Sequence, residues 1–301
     1  MVRVGNLFGK NKYKPDLKFL LEEGLLKKLQ NFETTVHSRR NLTNAIIIGL
    51  KVLGGNVKVA EKFRKYLLEL NRKVDEQASS GKLTKKQQEK TIPWDQIVKL
   101  RKLLAKQLRL SQAMKRKTVG KRDLKLLMEY LAICCMTLHP PTRLDWGVCH
   151  FYYGKSIGKL DENTKKTQNY VIIRKSSVTA IWSQYKTVGK YGQLTHELGK
   201  PLAKVIRAHC KFLKTVYPKN TALFLNKKAE PMSRSSFQKL LEGLFFRYFH
   251  RKGISVSTLR RIYLSDKYSH KAILEAKHDS ERMMHSRRTA EKHYIKQGKN
   301  E

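Results

Sequence analysis

Five side chains have the types and spacing needed to act together on a phosphodiester. Two arginines, Arg143 and Arg260, suit the non-bridging phosphate oxygens, on which negative charge gathers during attack. His285 can donate a hydrogen bond from its imidazole, and Tyr294, nine residues later, can be the nucleophile. Lys186, on a turn, could protonate the leaving 5′-oxygen. These residues predict phosphoryl transfer through a covalent phosphotyrosine.

Each of these residues lies at a junction between predicted elements, where side chains from distant segments can converge. Arg143 follows an apolar helix that Pro140 and Pro141 must end. Two positions have a neighbour that could serve instead. Lys190 lies four residues after Lys186, and the helical register leaves either Arg260 or its neighbour Arg261 open to the site.

Apolar residues at helical spacing predict a mainly α protein whose C-terminal part is α+β. Helices are predicted over residues 17–32, 43–53, 57–74, 93–108, 123–138, 202–216, 233–250, 258–268 and 272–284. Runs rich in β-branched and aromatic residues, 170–173 and 178–185, predict a small antiparallel sheet. The polar segment 76–92 predicts a linker between a helical domain, 1–75, and a second domain, 93–301.

The charge of the chain predicts an anionic partner. Lys and Arg number 64 against 24 Asp and Glu, which gives a net charge of +40 spread along the whole length. Since 40% of the residues are hydrophobic, this is a folded protein and not a basic disordered arm. Nucleic acid is the first candidate, because neutralised phosphates release counterions, and a membrane surface is the weaker alternative.

The length of the apolar runs and the spacing of the cysteines exclude several classes of protein. No apolar run is long enough to span a bilayer, so an intracellular protein that is not secreted is expected. The four cysteines, at 134, 135, 149 and 210, have neither CxxC nor metal-ligand spacing. No disulfide framework, metal or cofactor is therefore expected.

Four segments carry a resemblance to a known family. In their order and intervals, PPTRLDW, YKTVGKYGQ, STLRR and HSRRTAEKHY resemble the tyrosine recombinases, or phage integrases, in particular divergent members from large DNA viruses, virophages and eukaryotic mobile elements. The resemblance covers about residues 93–294, and it gives residues 1–75 the place of the core-binding domain. It implies Tyr294 as nucleophile and the catalytic residues Arg143, Lys186, Arg260 and His285.

The resemblance implies a site-specific recombinase or integrase of a mobile or viral element. Such an enzyme breaks and rejoins double-stranded DNA through a 3′-phosphotyrosine, without metal or ATP. A clamp on the duplex, a homo-oligomer (tetramer) on DNA, and a place in the host nucleus or a cytoplasmic virus factory are implied as well. Two alternatives stay open: a type IB DNA topoisomerase with the same catalytic set, and a catalytically inactive DNA-binding protein.

The sequence departs from the family pattern at two positions. Ser257 stands where the family has His or Lys, three residues before the second arginine, and a serine cannot supply a cation or an imidazole. Arg261 or a nearby His such as His250 could substitute for it. The acidic residue that usually follows the first arginine by three positions is displaced, since Asp145 follows Arg143 by two.

Overall fold

The structure, a computed structural model, describes residues 18–21, 24–54 and 57–282 of the chain. The chain divides into two compact units, Met1–Thr84 and Lys85–Glu301. This division falls within the predicted linker, residues 76–92, where the structure has the last turn of one helix and a further short helix, Lys85–Gln88. The described part is mainly helical, and none of its helices is long and apolar enough to cross a membrane.

The N-terminal unit is helical throughout its described residues. After a short 3-10 helix, Lys18–Leu21, come α1 (Leu25–Asn31), α2 (Val36–Val52) and α3 (Val57–Ser79). Their apolar stripes meet in one core, which includes the buried residues Leu20, Leu29, Ile46, Leu50, Phe63 and Leu70. Helix α2 begins earlier than the apolar pattern predicts, because the Thr35 hydroxyl accepts a hydrogen bond from the Ser38 N–H and so caps the polar first turn.

The C-terminal unit surrounds one large core. Its helices are α4 (Lys85–Gln88), α5 (Trp94–Ser111), α6 (Lys121–Thr137), α7 (Glu162–Thr167), α8 (Val188–Tyr191), α9 (Lys200–Val216), α10 (Arg234–Phe249), α11 (Val256–Lys267) and α12 (His270–Arg282). Helix α6 is buried along most of its length, including the adjacent Cys134 and Cys135. Since α5, α9 and α10 all pack against it, α6 is the central helix of this unit.

The sheet is mixed, so the predicted antiparallel sheet is wrong in this respect. Its strands are β1 (Cys149–Tyr153), β2 (Asn169–Ile173), β3 (Val178–Trp182) and β4 (Leu194–Glu197), in that spatial order. Strand β1 pairs parallel with β2, whereas β2 with β3 and β3 with β4 are antiparallel. The parallel pair is possible because a 3-10 helix, Gly154–Lys159, and α7 carry the chain back to the start of the sheet.

Serine caps fix the starts of α10 and α11. The Ser233 hydroxyl accepts from the Ser236 N–H at the start of α10, and the Ser255 hydroxyl accepts from the Thr258 N–H at the start of α11. His250 ends α10 in the left-handed region, with a φ of 53°. The start of α11 is thereby set at Val256, one turn before Arg260.

Helix α9 places a histidine inside the core. His209 is 3% exposed, and its Nε2–H donates to the carbonyl oxygen of Leu223 at 3.1 Å. Burial lowers the pKa of His209 from 6.5 to about 4, an effect that the bond to the carbonyl only partly offsets. His209 is therefore neutral in the folded chain at pH 7.

We expect the stability of this unit to fall as the pH drops from about 6.5 to about 4. In that window His209 takes up a proton in the unfolded chain but not in the folded one, so unfolding becomes more favourable, by about 1.5 kcal/mol between pH 6.5 and 5. Urea unfolding of the wild type and of His209→Leu at both pH values measures this. The variant should be less stable at pH 6.5, since the Leu223 carbonyl loses its donor, but its stability should depend less on pH. An equal pH dependence in both would contradict the assignment.

Candidate functional site

A cleft of about 850 Å³ in the C-terminal unit collects residues from four separate segments. These are the segment after α6, the connection between β3 and β4, and the N-terminal turns of α10 and α11. The residues that line it include five that the sequence marks as site residues or as departures from the family pattern, namely Arg143, Asp145, Lys186, Ser257 and Arg260. Residues more than a hundred positions apart in the chain are thus brought to one concave surface.

Arg143 is held at the cleft by a buried segment on its C-terminal side. Its backbone is extended and leads into a 3-10 helix, Leu144–Val148, while its side chain is exposed. Trp146 is fully buried and packs edge-to-face on Trp182, with ring centroids 4.8 Å apart. Gly147 lies so close to Phe237 that a Cβ there would overlap that side chain. This packing fixes the position of the Arg143 backbone at the edge of the cleft.

The loop that carries Lys186 is fixed at both of its ends. The side chain of buried Asn169 accepts hydrogen bonds from the Ser183 and Gln184 N–H groups and donates to the Gln184 carbonyl, all at 2.8–2.9 Å. The Tyr185 hydroxyl donates to the Gly192 carbonyl at 2.6 Å and closes the loop. Lys186 is exposed in the cleft wall.

Lys190 and Arg261, the alternatives to Lys186 and Arg260, are occupied elsewhere and are not among the residues that line the cleft. The Lys190 ammonium lies 5.2 Å from the centre of the Tyr191 ring. Arg261 donates to the Gln87 carbonyl at 3.2 Å and to the Thr91 hydroxyl at 3.1 Å. Burial lowers the pKa of Arg261.

The three cations that line the cleft at predicted positions have no acceptor in the part of the chain that the structure describes. Among the described residues, the side chains of Arg143, Lys186 and Arg260 form no hydrogen bond and no ion pair, although each lies within the same concave surface. Arg247, by contrast, is paired with the buried carboxylate of Glu129. The first N–H groups of α11, at Val256 and Ser257, also lie at the cleft, and these have no acceptor within the helix. The cleft is therefore suited to an anion.

Arg234 is a cleft residue that sequence analysis did not single out. Its Nη2 donates to Asp145 Oδ1 at 3.2 Å and to the Gln184 carbonyl at 2.9 Å, so it joins the Arg143 segment to the Lys186 loop. Asp145 is 8% exposed. Burial raises the pKa of Asp145, against the opposing effect of Arg234 first and then of Arg143 and Arg260. Asp145 is thus a buried carboxylate that interacts electrostatically with the three arginines of the cleft.

Removing Arg234 should destabilise the C-terminal unit in a pH-dependent way. We expect Arg234→Ala to lower the free energy of unfolding by about 1–3 kcal/mol at pH 7, because Asp145 is left buried without its donor. The loss should shrink toward pH 4, since protonation removes the buried charge. Denaturant unfolding measures it, with Arg207→Ala as the matched control. Arg207 also donates to backbone carbonyls but lies outside the cleft, so its loss should not vary with pH in this way.

Two predicted residues, His285 and Tyr294, lie outside the described residues. His250 is exposed at the end of α10, where its ring contacts Phe246, and it does not line the cleft. The cleft is also lined by Arg234, Gln238 and Ser255. Among the described residues, Arg234 is the one cation of the cleft besides Arg143, Lys186 and Arg260.

The arrangement can bind a phosphate group and stabilise charge on it, since two guanidinium groups and an ammonium group line one cleft and, among the described residues, form no hydrogen bond or ion pair with the protein. Within the described residues, no group of three or more His, Cys, Asp and Glu side chains is placed to hold a metal ion. Comparisons of the chain with protein-family models, with curated proteins and with solved structures found no match.

Proposed function

We propose that the chain is a tyrosine recombinase, which breaks and rejoins double-stranded DNA through a 3′-phosphotyrosine intermediate. The observation that carries the proposal is the convergence of Arg143, Lys186 and Arg260 on one cleft without a protein acceptor in the described part. The resemblance of the flanking segments supplies the nucleophile, Tyr294, and the remaining donor, His285. The cleft is the site for the scissile phosphate.

In the proposed reaction, Arg143 and Arg260 bind the non-bridging oxygens of the phosphodiester and stabilise their growing negative charge. The Tyr294 oxygen attacks phosphorus and its phenolic proton passes to solvent. The bond from phosphorus to the 5′-oxygen breaks as Lys186 protonates that oxygen. The bond energy is retained in the tyrosine ester, so a 5′-hydroxyl can later reverse the reaction without ATP.

The charge of the chain supports duplex DNA as the substrate. A net charge of +40 favours polyanions in general, and phosphate contacts make the affinity fall steeply with salt. Integration or excision of a mobile or viral element, assembly as a tetramer on DNA, and action in a nucleus or a virus factory belong to the same proposal, and they are supported by the family resemblance alone.

The proposed role of Lys186 gives a specific expected result. Lys186→Ala should slow cleavage of ordinary DNA about 10²-fold, because the leaving oxygen loses its proton donor. A substrate with sulfur at the 5′-bridging position should restore the rate, since a thiolate leaves without a proton. Single-turnover cleavage of both substrates measures this, with Lys190→Ala as the matched control that should cleave both at the wild-type rate. If the sulfur substrate did not restore the cleavage rate of Lys186→Ala, Lys186 would not be the residue that protonates the leaving oxygen.

Incubation with a nicked suicide substrate tests the proposal as a whole. The short fragment next to the scissile phosphate diffuses away after cleavage, so a covalent protein–DNA adduct should accumulate. Ser257 favours one competing function, an inactive DNA-binding protein, because the family's His or Lys is missing there. Salt-sensitive binding to duplex DNA with no adduct on any substrate would support that function and overturn the enzyme.

A further inference from the structure

A second cavity, of about 450 Å³, lies away from the cleft, between α5, α6 and α9. Its size is that of a site for a small organic molecule. Its walls are apolar and contain no acidic residue, and they include Leu108, Met114, Leu127, Tyr130, Leu131, Val205 and Ala208. Nothing in the proposed reaction uses this cavity, because none of its lining residues lines the cleft.

One of the residues that line the cavity is a buried histidine. His209 lines the cavity and is 3% exposed. Because its Nε2–H donates to the Leu223 carbonyl, Nδ1 of the neutral ring is an acceptor. In the described part of the chain nothing donates to Nδ1, and the fully enclosed polar side-chain atoms without a partner are Arg39 Nε and Trp146 Nε1. His209 Nδ1 is therefore open to the cavity.

The rim of the cavity is cationic. Arg109, Lys115 and Lys204 are exposed residues that line it. Within the described residues, none of these three side chains forms an ion pair with an acidic group. The cavity therefore has an acceptor at its base, apolar walls and uncompensated positive charge at its mouth. A ligand of this cavity therefore needs a hydrogen-bond donor for the acceptor, an apolar body for the walls and a negative charge for the rim.

We propose that this cavity binds a small aromatic carboxylate whose ring carries an N–H or O–H donor. The ring packs against the apolar walls, its donor bonds His209 Nδ1, and the carboxylate pairs with the cations of the rim. Such a ligand satisfies a buried acceptor that otherwise faces an apolar space, which is the arrangement that gives a site its selectivity. The site is independent of DNA cleavage, so it can be tested by binding alone.

Titration calorimetry of the full chain with three probes tests the proposal. Indole-3-propionate has the donor, the ring and the carboxylate, 1-methylindole-3-propionate lacks the donor, and indole-3-propanol lacks the charge. The parent acid should bind, the methylated acid should bind about tenfold more weakly, and the alcohol should bind at least fivefold more weakly, with less dependence on salt. Equal affinity of the parent and methylated acids for the wild type would overturn the proposal.

Variants locate the binding in this cavity. Val205→Trp should abolish binding by filling the space, and in His209→Leu the tenfold preference for the parent acid should disappear. Lys204→Ala should weaken binding of both acids, whereas Lys211→Ala, exposed on the same helix but outside the cavity, should leave it unchanged. Thermal unfolding of each variant verifies its fold. Unchanged binding to folded Val205→Trp would place the ligand elsewhere and overturn the assignment.

Discussion

Arg260→Ala is expected to slow formation of the covalent DNA adduct about 10³-fold, while leaving the fold intact. Arg260 lines the cleft and its side chain has no acceptor among the described residues, so its loss removes a donor to the phosphate and breaks no hydrogen bond or ion pair of the described part. Loss of one donor to an oxyanion typically lowers the rate 10²–10³-fold, and a guanidinium contributes charge as well. Arg260→Lys should recover little of the rate, because an ammonium cannot form the paired, planar contact.

Arg261→Ala is the matched control for this prediction. Its guanidinium donates to Gln87 and Thr91 instead of facing the cleft, so its loss should lower stability and leave the adduct rate of the folded protein near that of the wild type. Single-turnover adduct formation at saturating DNA, together with thermal unfolding, measures both effects. Slow adduct formation by Arg261→Ala together with fast adduct formation by Arg260→Ala would mean that the cleft is not the phosphate site.

Tyr294→Phe should form no adduct at all and still bind DNA. The substitution removes one oxygen atom, the proposed nucleophile, and leaves every described residue of the cleft unchanged. Binding to duplex DNA, which depends on the basic surface, should keep its wild-type affinity and salt dependence. Gel analysis of the suicide-substrate reaction and a binding titration at two salt concentrations give the two readouts.

Tyr268→Phe controls for loss of a tyrosine hydroxyl as such. Tyr268 is exposed at the end of α11 and is not one of the residues that line the cleft, so its variant should form adduct at the wild-type rate. Adduct formation undiminished in Tyr294→Phe would remove Tyr294 as the nucleophile. Loss of both adduct and DNA binding in that variant would instead indicate a defect in folding or in the DNA-binding surface.

The helices of this chain can be predicted from the sequence more accurately than its sheet can. Local signals mark helix ends, as Ser233 does for α10, where a capping side chain bonds the first turn. Strand β4 is mostly exposed and polar, so it carries no alternating pattern, and its identity depends on pairing with β3. Strand β1 owes its parallel direction to the path of the chain through α7, which no local residue specifies.

Of the candidate site, the junction residues could be predicted, and the residue that connects them could not. Arg143 is marked by the prolines before it and Lys186 by the strand and turn around it. Arg234 has no such local mark among 64 basic residues, and its partner Asp145 lies 89 positions earlier in the chain. The link between Asp145, Arg234 and the Gln184 carbonyl is a product of tertiary packing. The helical register leaves Arg260 and Arg261 equally open, and the family resemblance favours Arg260; the folded chain has Arg260 in the cleft and Arg261 bonded outside it.

Mass spectrometry of the trapped protein–DNA adduct identifies the residue that carries the DNA. After nuclease and trypsin digestion, we expect a nucleotide attached through phosphate to the peptide of residues 293–296, on Tyr294, and no such product from Arg260→Ala at early times. Attachment to another residue, or a wild-type protein that binds the nicked substrate and yields no adduct, would show that the chain does not cleave DNA through Tyr294.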